Sequence, residues 1–182
     1  SWLSFLRWLL WPLFAVATIL VAFSTFTIIA NLIASPFNSL LAERVELYLT
    51  GKTFDQETNW LDLVKSIIPT IFTELRKILY YLSRAIPLLI LFIIPVVNVA
   101  APFLWFLFSA WFLTLTYIDF PMGNHQIGFQ TQKQDMGKRR VLSLSFGTGL
   151  TLMTMIPILN FIAMPTGVAG ATKIWVDELQ NS

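Results

Sequence analysis

The stretch NLIASPFNSLLAE, Asn31 to Glu43, closes a long apolar run with two asparagines, two serines, a proline and no charge before Glu43. Ser35-Pro36 is a helix-start pair, because serine suits the N-cap and proline the first helical position. A helix beginning at Pro36 leaves the backbone N–H groups of Phe37, Asn38 and Ser39 unpaired. Unpaired donors and the helix dipole together favour a bound anion. Asn31, Ser35, Asn38 and Ser39 add neutral side-chain donors. Such a set suits a fully ionised tetraoxyanion, which needs hydrogen bonds rather than proton exchange. The plainer reading, a cap on a helix that turns out of an apolar layer, uses the same residues.

Other chemistry is scarce. His125 is the single histidine, and no partners stand at metal-ligand spacing around it. There is no G-x-x-x-x-G-K-[ST], no dinucleotide fingerprint and no G-x-S-x-G, so the residues point to no enzyme and no cofactor. Zero cysteines exclude disulfides, thiolate metal sites and a cysteine nucleophile. FGTGL, Phe146–Leu150, lies inside an apolar arm and reads as a close-packing site for a neighbouring helix. The net charge is +2, and no basic run with interleaved aromatics exists, so nucleic acid is not an expected partner.

The elements that must position these residues are apolar. Hydrophobic residues make up 56% of the chain and charged residues 12%, about half the charge of a soluble domain; mean hydropathy is +0.70. No charge falls within Trp8–Ala42, Ala85–Ile118 or Val141–Thr172, runs of 35, 34 and 32 residues. Runs above about 18 apolar residues are transmembrane candidates. The expectation is an all-α integral membrane protein, a single membrane domain over residues 1–182. The chain opens inside an apolar segment without a signal-peptide pattern, so a further N-terminal portion is expected upstream.

Each run is too long for one straight crossing of a core about 30 Å thick. Trp8–Ala30 is the clearest full span, with Trp2, Trp8 and Trp11 as an interfacial belt. The other two runs carry the pattern Ile-Pro-x-x-Asn and a second proline, in Ile93–Pro102 and Met155–Pro165. Each break predicts a turn, with the asparagine side chain replacing lost backbone partners. The arms are then Ala85–Ile94 with Phe103–Ile118, and Val141–Ile156 with Thr166–Val176, giving two pairs of half-penetrating (re-entrant) helical hairpins. Lys and Arg concentrate in Glu43–Arg84, which holds six of the 12, and in Asp119–Arg140, which holds four. A re-entrant second run puts both basic loops on one side, as the positive-inside bias favours; conventional spans with proline kinks are the alternative. Asn59–Arg84 has apolar residues every three or four positions and predicts an amphipathic helix bent at Pro69, after a polar linker Thr50–Thr58.

NLIASPFNSLLAE resembles the signature of the CysZ-type bacterial sulfate permeases. Ser83–His125, SRAIPLLILFIIPVVNVAAPFLWFLFSAWFLTLTYIDFPMGNH, and Met155–Val176, MIPILNFIAMPTGVAGATKIWV, also resemble that family's segments. The resemblance implies full crossings plus half-penetrating helix pairs in the bacterial inner membrane. It implies ATP-independent, channel-like sulfate uptake for cysteine biosynthesis, and homo-oligomers built from dimers in which inverted subunits are one arrangement. Family members also carry an upstream helix and an arginine pair implicated in sulfate binding, and Arg7 is not its equivalent. Asn31, Pro36, Phe37 and Asn38 map onto the motif. Many relatives have alanine and glycine where Ser35 and Ser39 stand, which favours backbone donors over hydroxyls. Glu43, Arg84 and Asp119 flank the apolar arms as candidate pore or gate residues. The alternative function is a non-transporting membrane scaffold or assembly factor.

Overall fold

The structure, a computed structural model, describes residues 2–51 and 60–180, with side chains described outside residues 2–7, 9, 27–35 and 60–74. Most of the expected polar linker therefore lies outside the described residues. Among those described, every regular element is helical: α1 (Trp2–Thr50), α2 (Trp60–Leu91), α3 (Ala101–Asn124), α4 (Phe129–Lys138), α5 (Arg140–Met155) and α6 (Pro157–Ile174). A 3-10 turn, Val97–Val99, precedes α3, and a π-helical turn, Trp175–Leu179, follows α6. The chain divides into two units, residues 1–38 and 39–182.

In the first unit the backbone is helical throughout residues 2–38 and passes through Pro12 and Pro36. The expected helix start at Ser35-Pro36 is therefore not observed. Proline has no N–H to give the carbonyl four residues back, here Leu32, and α1 tolerates that single missing bond. From Leu10 to Phe26 the helix is apolar on every side and exposed on every side. A helix without a polar face belongs in an apolar surround. Its two threonine hydroxyls are satisfied internally, Thr18 donating to the Phe14 carbonyl and Thr25 to that of Val21, both at 2.8 Å.

The second unit is organised around α3, which packs against α5, α6, α2 and α4. Leu115, Ile118 and Met122 of α3 meet Phe129, Met136, Leu150, Val168 and Ala171 in one core. At Gly147 of α5 an added Cβ would run into the Ala110 carbonyl of α3, and beside it the Thr114 hydroxyl donates to the Ser143 carbonyl. The FGTGL expectation is met at Gly147, whereas Gly149 faces open space. The C-terminal part of α1 closes at Gly51, whose φ of 69° lets its N–H return to the Leu47 carbonyl at 2.8 Å.

Proline breaks fall where the sequence places them, but the arms differ. The amphipathic helix and the first arm are one helix, α2, continuous through Pro69 and Pro87. It folds back onto α3 through a turn at Pro95, where Val96 takes φ 72°, ψ −49° and the Val97 N–H reaches the Pro95 carbonyl at 2.9 Å. That is a γ-turn of the rare, strained kind. Backbone bonds hold this turn, such as Asn98 N–H to the Ile94 carbonyl at 3.0 Å, and the exposed Asn98 side chain does not. In the third run the break is a single extended residue, Ile156, ahead of Pro157. Pro165, expected to end the turn, sits inside α6. Helix α3 is long and apolar enough to cross a membrane; at 24 residues it spans about 36 Å. Helices α5 and α6, of 16 and 18 residues, reach only about 24 and 27 Å.

Candidate functional site

Helix α2 shows how the second unit sorts its residues. Leu75, Ile78, Leu79 and Leu82, members of the expected apolar stripe, face outward, while the Lys77 side chain is only 13% exposed. Lys77, Tyr80 and Arg84 recur at i, i+3 and i+7 and so share one face of the helix. This face meets α3 and α4. Lys77 donates to Asp119 Oδ2 at 2.8 Å, and Gln132 Nε2 donates to Asp119 Oδ1 at 2.8 Å and to the Ile127 carbonyl at 2.8 Å. The Tyr80 hydroxyl accepts from Trp111 Nε1 at 2.8 Å. The Arg84 guanidinium lies 3.8 Å from the Tyr80 ring centre, and the Lys133 ammonium 5.1 Å from it.

Helix α4 brings Gln132 and Lys133 into this network. Phe129, Gln132 and Met136 are its buried side, spaced i, i+3, i+7 as a helix requires. From sequence Asp119–Arg140 reads as a basic loop, because the polar Gln132 interrupts the apolar period that would reveal the helix.

A second polar centre forms around Glu46, on the C-terminal part of α1 and 3% exposed. His125 Nε2 lies 2.9 and 3.1 Å from its two carboxylate oxygens, while Trp175 Nε1 and Gln180 Nε2 each approach Oε1 at 3.4 Å. The π-helical turn makes the last two contacts possible. Its wider winding, closed by Gln180 N–H to the Trp175 carbonyl at 2.9 Å, holds the start and end of the turn against one carboxylate. A buried carboxylate needs such donors. His125 is thus a partner of a buried acid rather than an incidental loop residue. Sequence reasoning missed Glu46, which lies one helical turn after Ala42 on the buried side of α1.

The expected anion-site residues Asn31, Ser35, Pro36, Phe37, Asn38 and Ser39 all lie on α1. The side chains of Asn31 and Ser35 fall outside the described ones. Pro36 and Phe37 are exposed, and Asn38 is buried. Ser39 is half-buried, and its carbonyl accepts from Asn124 Nδ2 at 2.9 Å. Because α1 is unbroken, the N–H groups of Phe37, Asn38 and Ser39 belong to the helical ladder. Of the gate candidates, Arg84 lies directly on Tyr80, and Asp119 joins through Lys77 and Phe129, which packs on Tyr80 at 5.5 Å and under Lys77 at 5.9 Å. Glu43 is half-buried and makes no ion pair among the described residues. No group of three or more metal-ligating side chains occurs among the described residues.

A sequence profile of the family described as sulfate transporter CysZ/etoposide-induced protein 2.4 matches residues 1–165. The chain is 46% identical to a sulfate transporter CysZ of Pectobacterium atrosepticum, over 100% of this chain and 66% of that protein. It is 46% identical to one of Pseudomonas fluorescens over 98% of this chain and 71% of the other, and 45% identical to one of Salmonella typhimurium over 97% and 70%. The chain thus spans about two thirds of the length of these curated relatives.

Proposed function

The chain belongs to the sulfate transporter CysZ/etoposide-induced protein 2.4 family, and from that premise we propose that it is the larger part of a sulfate permease. In this reading the protein is multi-pass in the bacterial inner membrane and admits sulfate without ATP, for cysteine biosynthesis. The observation that carries it is the identity of 46% across the whole chain to proteins named as sulfate transporters. The distribution of side chains supports a lipid setting. Large apolar residues cover the outside, from Leu75 to Leu82 on α2 and from Leu10 to Phe26 on α1, while Lys77, Gln132, Glu46, Thr114 and Ser143 are turned inward. Polar groups inside an apolar exterior are placed as in a membrane protein that handles an ion.

Helices α2 with α3 and α5 with α6 are the two pairs that enter the bilayer as re-entrant hairpins. The short reach of α5 and α6 and the fold-back at Pro95 and Pro157 favour this. Sulfate is held at Asn31, Ser35, Pro36, Phe37, Asn38 and Ser39 by backbone and neutral donors, with Glu43, Arg84 and Asp119 lining or gating the path. Because the ladder is closed in α1, binding there accompanies a break at Ser35-Pro36, the position where one hydrogen bond is already missing. Subunits assemble as dimers and larger homo-oligomers, inverted pairs included.

Labelled sulfate uptake into proteoliposomes tests the function. Vesicles holding the full-length protein are expected to fill faster than empty ones in the absence of ATP. Equal rates would sink the permease reading and leave the scaffold alternative.

A further inference from the structure

The Tyr80 ring is fixed on several sides. Its hydroxyl is engaged by Trp111, and Tyr81 and Phe129 pack against it edge to face at 5.4 and 5.5 Å. Two cations lie over it, Arg84 at 3.8 Å and Lys133 at 5.1 Å from the ring centre. The two charges are therefore within about 9 Å of each other, near the Debye length at physiological ionic strength. Their polar contacts are neutral: Arg84 Nη1 reaches the Tyr80 carbonyl at 3.4 Å, and Lys133 Nζ the Gln130 Oε1 at 2.7 Å. Neither meets a carboxylate among the described residues. The nearby Asp119 is already shared by Lys77 and Gln132.

We propose that Arg84 and Lys133, carried on the Tyr80 ring, form a docking site for a tetrahedral oxyanion, distinct from the Asn31–Ser39 segment. Cation–π contact offsets part of the cost of holding two like charges together, and a dianion that meets both offsets more of it. Arg84 supplies a planar fork matched to oxyanion geometry and Lys133 a mobile point charge. Arg84 is exposed and Lys133 half-exposed, so an anion reaches both. Sulfate and the phosphate of an anionic lipid head group share this chemistry. Basic and aromatic side chains at the ends of apolar helices suit either. With sulfate as the source the site rests on the permease reading; with a lipid phosphate it stands without it.

The test uses full-length protein purified in neutral detergent, native and with Arg84→Gln plus Lys133→Gln. One arm measures sulfate binding by calorimetry, and the other measures phosphatidylglycerol and cardiolipin retained through purification by native mass spectrometry. Loss of two charge-assisted contacts is expected to weaken sulfate binding by about tenfold or more, or to strip the retained lipid to a similar degree. Lys133→Arg together with Arg84→Lys is expected to keep most of either signal. Lys138→Gln serves as the control, because Lys138 pairs with Asp135 on the exposed side of α4. If the double variant does not accumulate, Lys133→Gln alone is read in both arms. Sulfate affinity and retained lipid both unchanged would overturn the site, as would an equal loss in the Lys138→Gln control. Absent uptake in vesicles with lipid retention lost in the variant would defeat the permease reading and leave this site standing.

Discussion

At the residue scale, Pro36 and Asp119 carry the sharpest expectations. Proline inside a helix costs about 3 kcal/mol relative to alanine, so Pro36→Ala should raise thermal stability in detergent while reinforcing the ladder around Phe37–Ser39. If sulfate needs those N–H groups free, the same change lowers sulfate affinity. Unchanged affinity in calorimetry with a higher melting temperature would separate the helix from the site. Asp119→Ala removes the acceptor shared by Lys77 and Gln132. Loss of an acceptor for largely buried donors should cost about 1–3 kcal/mol, seen as a lower melting temperature. The chemistry of Asn31–Glu43 was legible because serine, proline and asparagine announce themselves in an apolar run. Whether the chain stops and restarts there was not, since a proline that can open a helix can also be carried through one. Glu46 was illegible for a different reason: nothing local distinguishes a buried acid from the half-buried Glu43 three residues earlier. Only the later arrival of His125, Trp175 and Gln180 makes it a centre.

At the element scale, the seam between α3 and α5 depends on an absent side chain. Gly147→Ala should force the two helices apart and destabilise the protein by about 1–3 kcal/mol. Gly149→Ala, facing open space two residues on, should be neutral or gain up to about 1 kcal/mol from helix propensity. Parallel thermal melts of the two variants check this, and equal shifts would refute the seam. The proline breaks were readable from sequence, because a residue without N–H marks where a ladder is cheapest to end. The span of each arm was not readable. Pro87 and Pro165 have the same composition cues as Pro95 and Pro157 but lie within helices, and only tertiary packing decides which prolines turn the chain. Periodicity found α2, but not which of its faces the protein covers. The residues packed inward are Lys77 and Tyr80, because in an apolar surround the outside has the first claim on leucine.

At the scale of the whole molecule, that outward-facing stripe is measurable. The 182 residues contain no cysteine, so spin labels at Leu79→Cys and Gly123→Cys report single sites if the rest of the protein is also cysteine-free. Reconstituted in vesicles, the Leu79 label should be relaxed more by lipid-soluble oxygen than by an aqueous nickel complex, and the Gly123 label, at the end of α3, the reverse. Equal response at both would contradict a lipid-facing α2. Composition alone announced the membrane, since 12% charge cannot clothe a water-soluble surface of this size. The seam at Gly147 has a mechanical consequence. With the Gly147 backbone resting on that of Ala110, α3 and α5 have no side chain at that point whose rotamer could yield, so there they behave as one girder. Any widening of the second unit must hinge beside that girder, at the contacts of α2 or α6, and never at it.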